Sequence, residues 1–293
     1  MTEPSGPPTG PAATPPIPTS DQPYGFGPLV ATAYGGLFGN FGAFLAAAFI
    51  PWVLTVGTQV LLTRELSGIV QQAIAAGTVN SAGFLRALQS TAQGYMWLEL
   101  GVGLLTSVVF AVAWHRFMLG HGRPRLLPGL AGRHMMFFFY SLFLALPIIG
   151  FAFVGGLVGG ALGSRSELVM LLPILALGGV GLYISIRMNL CLPAVAVDET
   201  SIGPGRSWEI MRGRVLVFFL ATLACVLPPA LVFGLLNAMG QDWLQDYLVT
   251  GEGFVRMLLL QGVGGLLALI IAALGVGALS QALRSLVPDP GRI

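Results

Sequence analysis

The chain has no lysine, only two cysteines and few charges of either sign: 9% of its 293 residues are Asp, Glu, Lys or Arg. A soluble domain carries about 25% charged residues, because its surface must face water. So sparse a supply excludes a water-soluble globule of this length. All 14 basic residues are arginine, which we read as genome composition rather than mechanism. A net charge of +2, spread along the chain, leaves no electrostatic footprint for nucleic acid. Cys191 and Cys225 lie far apart in apolar runs. They make neither a disulfide framework nor a zinc site, which needs closely spaced ligands, and read as small buried side chains.

Catalytic motifs are missing too. Gly203-Pro204-Gly205-Arg206-Ser207 lacks the residue order of a phosphate-binding P-loop. Gly179-Val180-Gly181 follows no strand and is no dinucleotide fingerprint. His115, His121 and His134 form no helical pair with a nearby carboxylate, so no metal site is expected. No Ser/His/Asp set or paired carboxylates occur. We therefore expect a non-enzymatic protein without a cofactor.

What the chain does have is apolar length. Six runs, about 41–62, 96–118, 135–161, 168–196, 215–238 and 255–283, each reach the roughly 20 residues that cross a hydrocarbon core of about 30 Å. They predict an all-α polytopic membrane bundle of six transmembrane helices. Residues 1–28 hold nine prolines and little to bury, which predicts a disordered tail. The tail lacks the basic start and apolar core of a signal peptide. Leu29, Val30, Ala33, Tyr34, Leu37 and Phe38 suggest a short helix at the interface. In the long connection 63–95, Leu66, Ile69, Val70 and Ile74 share one helical face, and the break at Gly77-Thr78-Val79-Asn80 predicts two short amphipathic helices. We expect that hairpin to lie on the membrane surface.

Arginine placement gives the orientation. Arg116, Arg123, Arg125, Arg133, Arg187, Arg206, Arg212, Arg214, Arg284 and Arg292 fall on one side; Arg64, Arg86, Arg165 and Arg256 fall on the other. The richer side should be cytoplasmic, with both termini, including a short tail at 286–293. The last connection, with Asp242, Asp246 and Glu252, is then external, and Trp97, Trp243 and Tyr247 fit an outer aromatic belt. Gly155, Gly159 and Gly163 recur every fourth residue, a surface for close helix approach within the bundle or across a homodimer.

Two ionisable residues within the apolar runs stand out as site candidates. Arg187, six residues before Pro193, either contacts an anion such as a lipid phosphate, or snorkels to the interface and pairs with Asp198, Glu209 or a helix end. Glu99 either serves as a proton or ion site, or reaches water from its shallow position. The arginine-rich segment from Trp114 to His134 either attracts anionic headgroups or reflects topology alone. Ser207 reads as the N-cap of a short helix through Trp208, Ile210 and Met211.

The stretch Arg187-Met188-Asn189-Leu190-Cys191-Leu192-Pro193-Ala194-Val195-Ala196-Val197-Asp198, followed by Ser207-Trp208-Glu209-Ile210-Met211-Arg212-Gly213, resembles a recurring pattern in a loose set of bacterial six-span proteins. That set includes the membrane domain found beside glycerophosphodiester phosphodiesterases and the YciC-like proteins. Trp114-His115-Arg116 fits the same pattern. The resemblance would cover about residues 24–285 and implies a six-helix bundle. The phosphodiesterase's catalytic barrel has no counterpart here, so that activity is not implied. The expectation is an inner-membrane module that binds or organises membrane lipids or a protein partner, with Arg187, Arg206, Arg212, Arg116, Arg123 and Arg125 toward phosphate. The alternative is a small transporter or channel subunit using Glu99 and the helix-interrupting Pro51, Pro147, Pro173 and Pro228.

Overall fold

Pro51, Pro147, Pro173 and the pair Pro228-Pro229 sit inside long helices without ending them. In lipid such a helix persists because nowhere else offers the backbone hydrogen bonds. A computed structural model describes residues 24–79, 81–125, 131–161 and 167–287. The helices in chain order are α1 (Phe26–Gly39), α2 (Phe41–Ala75), α3 (Ala82–Met118), α4 (Gly132–Ala161), α5 (Glu167–Met188), α6 (Cys191–Ala196), α7 (Pro204–Ile210), α8 (Val215–Thr250) and α9 (Phe254–Leu286). No strand occurs among the described residues. Six helices, α2 to α5 with α8 and α9, are long and apolar enough to cross a membrane. The chain is thus an all-α helical bundle of membrane-spanning character. Gly163, Arg165, most of the proline-rich tail and residues 288–293 lie outside the described residues.

The bundle is built from three antiparallel pairs: α2 with α3, α4 with α5, and α8 with α9. The second is joined by reciprocal glycine contacts. A Cβ on Gly155 would meet the Ile174 backbone at 2.7 Å, and one on Gly181 would meet that of Ile148 at 2.8 Å. Each glycine thus rests beside the proline turn of the other helix, at Pro173 and Pro147. Ser185 donates from Oγ to the Leu144 carbonyl at 2.6 Å across the same seam. Gly159 is also buried. Close backbone approach is the packing mode that small residues allow in lipid.

Helix α1, 14 residues long, covers about 21 Å and is too short to span. Its Leu29, Ala33 and Leu37 repeat every fourth residue and are fully buried against α8 and α9. Tyr34 donates to the Cys225 carbonyl at 3.0 Å. Nearby, Trp114 is buried and donates from Nε1 to the Ala273 carbonyl at 3.0 Å, tying α3 to α9.

Several expectations need correction. The connection 63–95 forms no separate hairpin: α2 continues unbroken to Ala75 and α3 begins at Ala82. A polar ladder on α2, Gln59, Thr63, Ser67 and Gln71, explains why the chain does not turn aside. Gln59 donates to Glu99 Oε1 at 3.3 Å. Gln261 donates to Thr63 at 2.8 Å, Ser67 to the Tyr247 carbonyl at 3.0 Å, and Gln71 to Ser67 at 2.6 Å. These bonds hold α2 upright against α3, α8 and α9. Tyr247, expected in the aromatic belt, is buried against this ladder, whereas Trp97 and Trp243 are exposed. The fourth run ends at Met188 rather than 196, because Pro193 cannot continue the ladder and the chain turns at Asn189-Leu190 into α6. Cys191 and Cys225 are both free and buried.

Candidate functional site

The arginine-bearing helix ends gather at one end of the bundle through direct bonds. Arg284 donates to the Met118 carbonyl at 2.6 Å, and Arg116 to the Ala196 carbonyl at 3.2 Å. Tyr24 donates to the Arg214 carbonyl at 2.9 Å. The start of α1 and α8 and the ends of α3 and α9 therefore share a face with α6.

On this face Arg187 is taken up by Trp208. Its guanidinium carbon lies 3.9 Å from the centre of a Trp208 ring, and one terminal nitrogen donates to the Trp208 carbonyl at 2.7 Å. Another approaches the Tyr183 hydroxyl at 3.5 Å. Its partners are thus an aromatic face and a carbonyl, rather than Asp198 or Glu209. Ser207 is not the N-cap that the sequence suggested; α7 starts at Pro204, with Gly203 before it. Instead the Ser207 hydroxyl donates to the Arg187 carbonyl at 2.9 Å and accepts from the Leu190 N–H at 3.0 Å. It thereby satisfies backbone groups released where α5 stops. Asp198 has a φ of 63°, a left-handed conformation that Asp tolerates better than most side chains. From there it accepts from Arg133 at 2.5 Å and lies 3.6 Å from Arg116.

The remaining cations surround a cavity of about 400 Å³ beside the start of α4. Arg116, Arg123, Arg125, Arg133, His121 and His134 line it. Arg123 and Arg125 are exposed and have no ion-pair partner among the described residues. His121 Nδ1 is buried without a partner. His134 Nδ1 accepts from the Ala131 N–H at 3.0 Å, which folds the loop onto the first turn of α4. The positive end of the α4 dipole adds to a field that favours an anion. Arg206 and Arg212 do not line this cavity. Arg206 pairs with Glu209 at 3.2 Å, and Arg212 is exposed.

A second space of about 380 Å³ runs between α3 and α4 and shares Ala131 and His134 with the first. Its walls are apolar: Leu104, Leu105 and Val108 from α3, Met135 and Phe138 from α4. Leu104, Leu105 and Met135 are also exposed, so the groove opens sideways. The apolar groove is absent from the sequence reading, which offered Asp198 as a partner for Arg187 and not for Arg133 or Arg116. Arg133 and Asp198 lie 65 residues apart, and no local pattern couples them. Glu99, half-buried, belongs to the polar ladder and bonds Gln59 at 3.3 Å. No group of three metal-ligating side chains occurs among the described residues.

These features define the class: a polytopic α-helical membrane bundle with a cationic pocket at one end. Comparison with family models, curated proteins and solved structures returned no match.

Proposed function

We propose that this protein is a multi-pass protein of a bacterial inner membrane, termini in the cytoplasm, that binds anionic phospholipid as a non-enzymatic module. One observation carries the reading: the four-arginine cavity adjoins the apolar α3–α4 groove, the two sharing Ala131 and His134 in their walls. A phospholipid has the matching order, a phosphate followed by acyl chain. Each cation near an anionic headgroup contributes about 1 kcal/mol, and each buried methylene adds about 0.8 kcal/mol. In this reading Arg116, Arg123, Arg125 and Arg133 meet the phosphate. Arg187 is instead a clamp between α5 and α7. The arginine excess at this end supports its cytoplasmic placement. The reading also keeps the chain with the six-span set that it resembles, whose helix-end pattern here forms the clamp.

The test is native mass spectrometry of protein reconstituted with mixed phosphatidylglycerol and phosphatidylcholine, then released gently into detergent. The wild type should retain phosphatidylglycerol selectively. The double variant Arg123→Gln, Arg125→Gln should lose that preference roughly thirtyfold, from two charges at about 1 kcal/mol each. Equal retention of the anionic lipid by both proteins would overturn the reading.

A further inference from the structure

A cavity of about 500 Å³ lies between α3, α4, α5, α6, α8 and α9. Its volume falls within the range of small-molecule sites, roughly 300–1,000 Å³. The walls are mostly apolar and include Phe137, Leu182, Leu223 and Val276. Three polar side chains break that lining, Asn189, His115 and Thr222, and of these His115 Nε2 and Thr222 Oγ1 are buried without a partner. His115 itself is only 1% exposed. A buried polar atom left unpaired costs free energy, so native structures keep one chiefly where something else completes it.

The bond on the other side of the ring sets what can complete it. Ser280 donates its hydroxyl proton to the Val276 carbonyl at 2.9 Å. Its oxygen lies 2.8 Å from His115 Nδ1 and, with its own proton on the carbonyl, is free to accept there. With the Ser280 proton on the Val276 carbonyl, the proton of the ring sits on Nδ1, which leaves a lone pair on Nε2 of a residue that lines the cavity. A partner for Nε2 must donate a hydrogen bond. The Thr222 hydroxyl across the cavity can then accept or donate in turn.

Access is lateral. Leu182 on α5 and Leu223 on α8 line the cavity and are also exposed, at 37% and 42%. In a membrane-spanning bundle that opening faces lipid rather than water. We infer that this cavity binds an apolar molecule carrying a free hydroxyl, an alcohol or phenol drawn from the bilayer, whose O–H donates to His115 Nε2. The site is distinct from the arginine-lined cavity and needs no charge on its ligand.

The experiment uses the full chain in lipid nanodiscs and two photoreactive probes: a long-chain fatty alcohol bearing a diazirine, and its methyl ether. The ether keeps the apolar body and can accept but not donate. The alcohol should label the α8 peptide around Thr222 about tenfold more than the ether, the discrimination expected when a buried acceptor is left unpaired. His115→Phe should abolish that preference. If His115→Phe does not fold, the wild-type comparison stands, and the near-isosteric Thr222→Val should still favour the alcohol but by less. Equal labelling would show a groove filled by any chain and overturn the inference. A preference for the ether would place the proton on Nε2 and overturn it as well. The Arg123→Gln, Arg125→Gln variant should label like wild type, so failure here and failure of phospholipid retention are separable.

Discussion

Arg187 and Trp208, 21 residues apart, form a double contact: the guanidinium stacks on the indole and also donates to the same residue's carbonyl. The stack fixes α7 to the end of α5, and Ser207 reinforces it from the neighbouring position. At a half-buried site such a cation–π contact contributes about 1 kcal/mol.

Trp208→Leu and Arg187→Ala should each lower thermal stability in detergent. The double variant should be less destabilised than the sum, with a coupling near 1 kcal/mol. Strict additivity in that double-mutant cycle would show that the stack contributes nothing.

Asp198 competes with any bound phosphate for Arg116 and Arg133. Asp198→Asn keeps a side chain suited to the left-handed backbone while removing the charge. Retention of phosphatidylglycerol should therefore rise, and its salt dependence should steepen. A fall in retention would mean that the ion pairs shape the pocket more than they occupy it.

The reciprocal glycines give a paired prediction. Gly155→Ala forces the new methyl into the Ile174 backbone and should cost about 1–3 kcal/mol. Gly156→Ala meets nothing within 4 Å and should be neutral. Unfolding by denaturant in mixed micelles compares them directly, and matching midpoints would contradict the packing described.

Tyr24, before α1, has its phenol raised from the ordinary value of 10.0 to about 12, with burial as the main cause. A group whose folded pKa is raised contributes stability that is complete below the unfolded value and lost as pH climbs through the folded one. Melting temperature should therefore fall between about pH 10 and 12, and Tyr24→Phe should reduce that fall. An identical alkaline profile for both would exclude Tyr24 as its source.

Six spans were legible because apolar length is a local property, written in each run separately. The hairpin at 63–95 was misread for a related reason. Leu66, Ile69, Val70 and Ile74 do mark a helical face, yet periodicity cannot say whether that helix is new or continuous with the preceding span. The deciding groups, Thr63 and Ser67, find their partners at Gln261 and Tyr247, almost two hundred residues away. Tyr247 was assigned to a belt by type alone, and only that distant packing buries it. At the cationic end, the arginines were visible as a cluster. Their division into clamp, counter-ion pair and open pocket depended on Trp208 and Asp198, which no spacing rule connects to them.

The polar ladder on α2 has a consequence for the protein's profile. At 1.5 Å per residue, α2, α3, α8 and α9, with 35, 37, 36 and 33 residues, measure about 50–55 Å, whereas the hydrocarbon core is about 30 Å. Even with headgroups included, at about 40–45 Å, untilted helices would overshoot. Set upright across a bilayer, the two hairpins would extend past the headgroups, and their turns, near Gly77 and Gly251, lie at the end opposite the cationic pocket. A molecule diffusing along that side would strike these turns before it reached the bilayer.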